Sequence, residues 1–449
     1  MVIKARARLC FVFYLLAIGI AVGVHLDGAA AEEPTRKVAI VPFSLPTEAP
    51  EREWFSEGFP RVLALRLQQL PRLTVVVLPR EVLSAPEGLR NPLDGGDAAA
   101  IVERLRTQGH DSVILGGFHQ LDGIIRLEVR LWATHPERHL GKTLEQSPEK
   151  DPDGLGIKLA AFVAAALQIP FAEADGRRLA ERYTTSAEAF ERFARALTLA
   201  EATSDEEDAS QAVNLFKEAI NLDGKFSMAL RQLGDLSLRR GYYVSAAEAY
   251  LAFLGLGKRS PLVYRLLGKS FFAQRDMPRA IDAYRRGLQL EGRDPQLYVD
   301  LGLAYTAVKD YESARKALLR ALEFKPDDPL AFANLGVVYL LQGNFPAATA
   351  SLRRAQLLQG SDARLAYNLG LSLMFEGAYD QARDQFERAV QLNPNFAPAA
   401  YQLALLYERG EPAQAVERWR KYLELANGKP AERVWLPHAQ ESLKYLQQR

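Results

Sequence analysis

Two short segments of the chain combine residue types and spacings that could do chemistry. The segment HLGKT, residues 139–143, ends like a phosphate-binding loop, in which backbone N–H groups and a lysine hold phosphate. Such a loop requires a glycine five residues before Gly141, where this chain has Pro136, and the segment has the pattern of a strand. His135 and His139 are four residues apart and could bind a metal from a helix, but the proline between them predicts a turn. Neither segment therefore predicts a nucleotide or metal site.

Other local signatures of enzymes are absent from the sequence. It contains no GxSxG nucleophile motif, no HExxH zinc motif and no DxDxDG calcium loop. The only cysteine is Cys10, so the remainder of the chain has no thiol for a disulfide, a zinc site or a nucleophile. We therefore expect a protein that is not an enzyme, with no catalytic residues, no cofactor and no metal.

The first residues have the pattern of an export signal. A basic start precedes an apolar run over residues 9–26, and Ala29 and Ala31 fit the small-residue pattern of a cleavage site. This pattern predicts a signal peptide at residues 1–31 and an exported, periplasmic protein that begins at Glu32. The alternative is an uncleaved segment that anchors the chain in the inner membrane, because an 18-residue apolar run nearly spans a bilayer.

The charge balance argues against one class of partner. Without residues 1–31 the chain keeps 53 of its 56 Lys and Arg and 54 of its 55 Asp and Glu, so its formal charge changes from +1 to −1. Binding to nucleic acid needs an excess of basic residues on one face of the protein. We therefore expect no nucleic-acid partner, and a membrane contact only through the amino-terminal segment if it is not cleaved.

One pattern recurs through the second half of the chain with a period of 34 residues. Each unit contains a Leu-Gly pair, and an alanine follows the glycine by twelve residues. We interpret each unit as two helices that pack closely where these small residues lie. The marker pairs are Leu233/Gly234, Leu267/Gly268, Leu301/Gly302, Leu335/Gly336 and Leu369/Gly370, and the alanines are Ala246, Ala280, Ala314, Ala348 and Ala382.

Glycines and prolines mark the ends of these predicted helices. Gly241, Gly343 and Gly377 follow the first helix of their units, where a left-handed residue commonly ends a helix. Prolines such as Pro261 and Pro295 fall between units, because proline can begin a helix but cannot continue one.

With these residues, the second part of the chain resembles a tetratricopeptide repeat (TPR) array. In register over six units, Leu-Gly is followed by an aromatic residue three positions later, then by the alanines and a proline. The resemblance covers residues 193–428, about seven repeats, and residues 429–449 are expected to form a capping helix. It implies an all-α solenoid that binds protein partners.

Residues 32–170 have a different pattern, which predicts a small α/β domain, and residues 171–192 are expected to form a linker or entry helix. The hairpin dipeptide Asp122-Gly123 separates two of the predicted strands. The segments VAIVPF, WFSEGFPRVLALRLQQLPRLTVVV and DSVILGGFHQLDGIIRLEVRLW together resemble the TolB-like amino-terminal module. This resemblance implies a partner-binding domain that carries no catalytic residues. The predicted fold class is therefore α+β, with a small TolB-N-like domain followed by an all-α TPR solenoid.

The TPR resemblance also predicts where a partner would bind. In such an array the inner groove is lined by first-helix residues at fixed offsets from the marker glycine. The residues that this chain has at those offsets predict a groove that is basic at its first end and apolar, with aromatic and amide groups, toward its last end. We expect a protein or peptide partner to insert apolar side chains there while the two asparagines bind its backbone. The groove residues are Arg231, Arg265, Lys269, Asn334, Leu341, Tyr367, Asn368, Leu371, Phe375 and Tyr401.

Several alternatives stay open at this stage. The apolar part of the groove could be covered by the terminal helix or by a second copy of the chain, and Phe375 could belong to the core between repeats. The predicted function is an exported, non-enzymatic adaptor. One alternative is an envelope-sensing regulator whose TolB-like domain binds a small ligand, which a pocket lined by GGFHQ and VPFS would favour. The other is an accessory factor of cell-wall or envelope assembly machinery.

Overall fold

The computed structural model describes residues 35–44, 53–79, 93, 95–121, 124–148, 150–170, 172–202 and 205–448. The predicted signal peptide and the dipeptide Asp122-Gly123 lie outside the described residues. The chain divides into two compact units, a first unit within Gly28–Lys258 and a second unit at Arg259–Arg449. A small mixed sheet of five strands is followed along the chain by a long run of helices, as the sequence predicts.

The sheet lies in the first unit and has the strand order β2-β1-β3-β4-β5. Strand β1 is parallel to both β2 and β3, whereas β4 is antiparallel to β3 and β5. Strand β1 is second in this order, and its last three residues, Val38, Ala39 and Ile40, are apolar and buried because helices cover both faces of the sheet. The strands are β1 (Arg36–Ile40), β2 (Leu73–Val77), β3 (Ser112–Leu121), β4 (Ile124–Thr134) and β5 (Glu137–Pro148).

Three helices pack on this sheet: α1 (Glu53–Leu67), α2 (Gly95–Thr107) and α3 (Pro152–Ala166). Buried residues of α1 and α3 share a core with the alternate strand residues Val38, Ile40 and Ile114. Helix α2 packs on the residues that alternate with them, such as Ala39 and Val113. Because successive strand residues point to opposite faces, α2 lies across the sheet from α1 and α3.

The core of the sheet domain continues into the first helices of the array. Helix α4 (Glu173–Leu179) and helix α5 (Ala187–Ala202) follow α3, so the predicted linker region contains ordered helix. On α1, Phe59 lies 6.1 Å from the ring of Phe190 on α5. An added Cβ on Gly58 would lie 2.7 Å from the backbone oxygen of Ala194, so the two helices approach closely. The sheet and the first helix pair therefore share one core.

Fourteen consecutive helices from α5 to α18 form helix pairs along the described chain. In the first unit these are α5, α6 (Glu206–Leu222), α7 (Ser227–Arg239) and α8 (Tyr243–Gly255). In the second unit they are α9 (Pro261–Ala273), α10 (Met277–Leu290), α11 (Pro295–Ala307), α12 (Tyr311–Phe324), α13 (Pro329–Gln342), α14 (Phe345–Leu358), α15 (Ala363–Glu376), α16 (Tyr379–Leu392), α17 (Ala397–Gly410) and α18 (Pro412–Ala426). A 3-10 turn at Pro430–Glu432 and helix α19 (Leu436–Gln447) complete the second unit.

The marker glycines lie where the two helices of a pair touch, which confirms the interpretation of the period. A Cβ added to Gly268 would lie 2.4 Å from the Tyr284 ring, and one added to Gly336 would lie 2.5 Å from Leu352. The alanines of the second helices, such as Ala280 and Ala348, are fully buried. Small residues at these positions therefore permit the close packing of each pair.

The first helices end as the glycines predict, and two units reach the same end without glycine. Gly343 adopts a φ of 76° and Gly377 a φ of 91°. At equivalent positions Arg275 has a φ of 63° and Lys309 a φ of 65°, a conformation that costs a side-chain-bearing residue free energy. In these four units the turn between the paired helices therefore has a left-handed residue whatever its type.

We expect Lys309→Gly to raise the free energy of unfolding by about 0.5–1 kcal/mol, because glycine relieves the left-handed strain but loses more chain entropy on folding. Gly343→Ala, at the equivalent turn, should lower it by about 1 kcal/mol. Urea titration followed by circular dichroism measures both changes, with Lys309→Ala as the control for loss of the side chain. Equal stability of Lys309→Gly and Lys309→Ala would contradict the backbone explanation.

No helix of the described chain is long and apolar enough to cross a membrane.

Candidate functional site

The predicted basic residues lie beside acidic side chains that partly neutralise them. In the second unit, Lys269 Nζ lies 3.9 Å from Asp300 Oδ2, and the half-buried Arg265 keeps a buried Nε that has no hydrogen bond within the described residues. Burial raises the pKa of the Asp300 carboxyl, an effect that the charges of Lys269 and Arg265 oppose. The helices α9 and α11 therefore present mixed charge here rather than a purely basic surface.

Arg231 belongs to the first unit and has the same kind of neighbour. Its Nε lies 3.7 Å from Asp235 Oδ2, one helical turn away on α7. The Tyr250 hydroxyl donates a hydrogen bond of 2.7 Å to Asp235, and burial raises the pKa of that carboxyl. Arg231 is thus held in a local network with an acid and a tyrosine.

The two predicted asparagines line one cleft in the second unit. Asn334 on α13 and Asn368 on α15 occupy equivalent positions one period apart, and both are buried. The cleft has a volume of about 40 Å³, enough for a small chemical group. It is lined by Pro329, Leu330, Ala333, Asn334, Val337, Gln359, Asp362, Arg364, Leu365 and Asn368.

The amide oxygen of Asn368 is the unusual atom of this cleft. The residue is only 5% exposed, and its Oδ1 has no hydrogen-bond partner among the described residues. Leaving a buried acceptor unpaired costs about 1–3 kcal/mol, so such atoms are few in folded proteins. Within the part of the chain that the structure describes, Asn368 therefore has a free hydrogen-bond acceptor beside the cleft that it lines.

One wall of the cleft is the start of helix α15. Asp362 is the N-cap of that helix and accepts hydrogen bonds from the backbone N–H groups of Arg364 and Leu365, at 2.7 and 3.3 Å. The Arg364 guanidinium lies 3.7 Å from the Asp362 carboxylate. Opposite this polar edge lie Ala333 and Val337, so the cleft offers both polar and apolar contacts.

Asp362 and Arg364 are not among the groove residues predicted from the sequence. A signal for Asp362 exists, because Asp294, Asp328 and Asp362 are 34 residues apart and each caps the first helix of its unit. The repeat therefore places an acidic residue at the same edge of successive units. Nothing periodic indicates Arg364, since Gln296 and Leu330 hold the equivalent positions.

Besides the two buried asparagines, three more of the predicted groove residues are in the interior. Tyr367 is 2% exposed and packs against Phe386 and Phe396, with ring centroids 5.7 and 5.4 Å away. Leu371 and Tyr401 are buried as well. Contact of these residues with a partner stays a prediction, and it would require their side chains to move.

Phe375 and Leu341 keep part of their surface. The Phe375 ring stacks on Phe345 with centroids 4.8 Å apart, and both Phe375 and Leu341 are half-buried. This stacking agrees with the alternative in which Phe375 contributes to packing within the array. The remaining surface of both residues leaves room for a contact with a ligand.

The carboxyl-terminal segment covers Tyr401. The ring of Trp435 lies 5.5 Å from that of Tyr401, and the Tyr401 hydroxyl lies 3.1 Å from His438 Nδ1. Trp419 and Tyr422 of α18 complete the cluster of rings. At this end of the second unit the structure therefore matches the alternative in which the chain's own terminal segment covers the apolar surface.

The segments VPFS (residues 41–44) and GGFHQ (residues 116–120) of the sheet domain are packed against each other. Ser44 donates from its backbone N–H to the Gly116 oxygen at 3.0 Å, and Phe118 donates back to Ser44 at 2.9 Å. A Cβ on Gly116 would lie 2.3 Å from the Phe43 ring, so that side chain fills the space beside the glycine. This packing lends no support to a ligand pocket between the two segments.

The two histidines that are four residues apart, His135 and His139, lie at the β4–β5 turn and on the strand that follows it. His135 is in the turn, while His139 is on β5 with its ring edge-on to Trp132 at 5.2 Å. No group of three or more potential metal ligands occurs within the described residues.

Family models for tetratricopeptide repeats match three parts of the chain. A model described as tetratricopeptide repeat matches residues 232–298, one described as TPR repeat matches residues 304–343, and a further tetratricopeptide repeat model matches residues 363–396. Both asparagines of the cleft lie within these matches. The resemblance of the sheet domain to the TolB-like module stays a prediction.

Solved structures with some similarity to the chain are also repeat proteins. A crystal structure of MamA is 26% identical, covers 36% of this chain and 96% of its own, and has a TM-score of 0.34. A tetratricopeptide repeat protein from Parabacteroides merdae is 15% identical, with 57% and 99% coverage and a TM-score of 0.45. YrrB, described as a TPR protein with an unusual peptide-binding site, is 24% identical, with 44% and 100% coverage and a TM-score of 0.36. No curated protein matches the chain.

Proposed function

Because the chain is a tetratricopeptide repeat protein, a class of protein-interaction scaffolds, we propose that it is an adaptor that binds a peptide segment of a protein partner in the cleft between α13 and α15. Repeats of this class are generally not enzymes, and we propose that this chain acts by reversible binding rather than by catalysis. The observation that carries the proposal is the unpaired Asn368 Oδ1 in a cleft that also contains Asn334.

The chemistry of the cleft favours an extended peptide backbone over other ligands. A peptide N–H would donate a hydrogen bond to Asn368 Oδ1 and so remove the free-energy cost of the unpaired acceptor. The small apolar space beside Ala333 and Val337 would receive a short apolar side chain of the same segment. Arg364 and Asp362 at the edge would select for the charge pattern that flanks this residue.

We expect Asn368→Leu to weaken peptide binding by about tenfold or more, because a leucine of similar size removes the amide oxygen without opening a cavity. The probe is a displayed library of random 12-residue peptides selected on the wild-type chain, and the affinity of the selected peptides is measured by isothermal titration calorimetry. Asn334→Leu should weaken binding as well.

The matched control is Asn395→Leu, an exposed asparagine outside the cleft. It should leave the peptide affinity unchanged. If Asn368→Leu and Asn395→Leu bind the selected peptides equally, the cleft is not the binding site.

We also propose that the adaptor is exported and works in the periplasm. The support is the amino-terminal pattern of basic residues, an apolar run and the alanines at 29 and 31. The intact mass of chain recovered from a periplasmic fraction of a bacterial host should correspond to residues 32–449. Recovery of the uncleaved chain in the membrane fraction alone would favour the anchored alternative.

A further inference from the structure

Helix α8 differs from the other second helices of the repeats on its solvent-facing side. Five positions on that side recur with the 34-residue period, and in α8 they are Val244, Glu248, Leu251, Ala252 and Gly255. In four other second helices these positions carry mainly charged and polar residues, whereas α14 combines two arginines with three apolar residues. The residues are Ser210, Asn214, Lys217, Glu218 and Asn221 in α6; Pro278, Asp282, Arg285, Arg286 and Gln289 in α10; Glu312, Lys316, Leu319, Arg320 and Glu323 in α12; Pro346, Ala350, Arg353, Arg354 and Leu357 in α14; Asp380, Asp384, Glu387, Arg388 and Gln391 in α16.

The α8 residues form one continuous surface, here called the α8 outer face and defined by Val244, Glu248, Leu251, Ala252 and Gly255. Residues three and four positions apart on a helix lie on the same side. Val244 is 60% exposed and Leu251 is 47% exposed, although side chains of this kind gain free energy from burial. A Cβ added to Gly255 would meet no atom of the described residues within 4 Å, so none of them covers this end of the face.

Packing of the repeat does not account for these apolar residues. The opposite side of α8 already supplies the core contacts, with Ala246 fully buried and the Tyr250 ring packed on Gly234. The repeat fold needs no apolar residue on the outer side, because all five equivalent positions of α16 are charged or polar. The apolar residues of the α8 outer face are therefore not needed for folding, as expected for an interaction surface.

Glu248 indicates which kind of partner would fit the α8 outer face. It is the sole charged residue of α8, and it lies on the outer face between Val244 and Leu251. Across the described part of the chain, no ion pair or hydrogen bond involves its side chain. An apolar surface with one uncompensated acid at its centre is complementary to an apolar surface with one basic residue.

We propose that the α8 outer face docks an amphipathic helix of a protein partner, in which apolar residues lie one turn before and one turn after a central arginine or lysine. The apolar residues would cover Val244 and Leu251, while Ala252 and Gly255 let the two helices approach closely. The basic residue would pair with Glu248.

Charge argues against two other occupants of this surface. In an antiparallel pair of α8 helices from two copies, the two Glu248 carboxylates would face each other near the centre and repel. An anionic lipid surface would repel the same carboxylate. A basic amphipathic helix has neither conflict.

The probe is a designed helical peptide with a leucine one turn before and one turn after a central arginine, labelled for fluorescence anisotropy. A reference peptide has glutamate in place of the arginine. The wild-type chain should bind the arginine peptide at least about tenfold more tightly than the reference peptide. Glu248→Lys should reverse this preference, a result that a purely structural role of Glu248 would not produce.

Leu251→Arg should weaken binding of the arginine peptide by about tenfold or more, since the charge interrupts the apolar face and repels the peptide's arginine. The substitution introduces the residue found at the equivalent positions of α10 and α14, Arg285 and Arg353, so the repeat should fold normally. Circular dichroism checks this, and binding of peptides selected on the α13–α15 cleft should be unchanged.

Three results would overturn the proposal. The first is equal affinity of the wild-type chain for the arginine and glutamate peptides. The second is a dimer in sedimentation velocity that Leu251→Arg converts to monomer, because the occupant is then a second copy. The third is flotation with phosphatidylglycerol vesicles that Leu251→Arg abolishes, because the occupant is then a lipid surface.

Discussion

Replacing Arg66 with methionine should lower the free energy of unfolding by about 3–5 kcal/mol. Arg66 is fully buried and forms an ion pair with Asp153, which is also buried. Its guanidinium donates to the backbone oxygens of Leu179 and Glu181, at 3.2 and 2.7 Å, and lies 3.7 Å from the centre of the Tyr183 ring. Removing it leaves an uncompensated carboxylate in the interior.

The double variant Arg66→Met, Asp153→Asn should recover part of that loss. The asparagine oxygen can still accept the hydrogen bonds that Asp153 receives from the backbone N–H groups of Tyr183 and Thr184, and the buried charge is gone. Arg182→Met is the control, because its ion pair with Asp151 is exposed and should contribute less than about 1 kcal/mol.

Chemical denaturation of the three variants measures these differences. A loss for Arg66→Met that is no larger than the loss for Arg182→Met would contradict the account.

Gly58→Ala should lower the free energy of unfolding by about 1–3 kcal/mol, even though alanine is the better helix former. The added methyl group would lie 2.7 Å from the backbone oxygen of Ala194 and 2.9 Å from its Cβ. Because a helix backbone cannot move aside as a side chain can, α1 and α5 must separate and the core around Phe59 and Phe190 must loosen.

The control is Gly224→Ala, where the added methyl group would lie more than 4 Å from the rest of the chain that the structure describes. It should change stability by less than about 0.5 kcal/mol. If both substitutions have the same small effect in thermal unfolding, the sheet domain and the first repeat do not share the tight contact described above.

The periodic part of the fold could be predicted because its cause is local. Each marker glycine faces a side chain sixteen residues later in the same unit, as Gly268 faces Tyr284, so one period contains both partners of the contact. The helix ends depend on one residue each, and Gly343 and Gly377 adopt the left-handed conformation that their type favours. Arg275 and Lys309 show that the same turn forms without this signal.

The contacts between distant segments could not be predicted in this way. Arg66 pairs with a carboxylate 87 positions away, and its neighbours in sequence have the ordinary pattern of a helix. The packing of α1 on α5 likewise joins residues far apart in the chain, with no repeat to relate them. The extent of the core that the sheet shares with the first repeat therefore became visible only in three dimensions.

The predicted groove shows the same division between local and distant effects. Asn334 and Asn368 meet in one cleft because the period fixes their relative positions. The prediction for Tyr401 depended on its own unit alone, whereas Trp435 and His438 reach it from the non-repeating end of the chain. Offsets from a marker residue identify which face a side chain lies on, but they do not identify what packs over it.

The proposed cleft is tested most directly by hydrogen–deuterium exchange of the full chain with and without a peptide selected for binding. We predict slower exchange of backbone amides in α13 and α15 when the peptide is bound, and no change in α13 and α15 of Asn368→Leu at the same peptide concentration. Slower exchange confined to the sheet domain, or the same protection of α13 and α15 in Asn368→Leu, would contradict the proposal that a partner binds in this cleft.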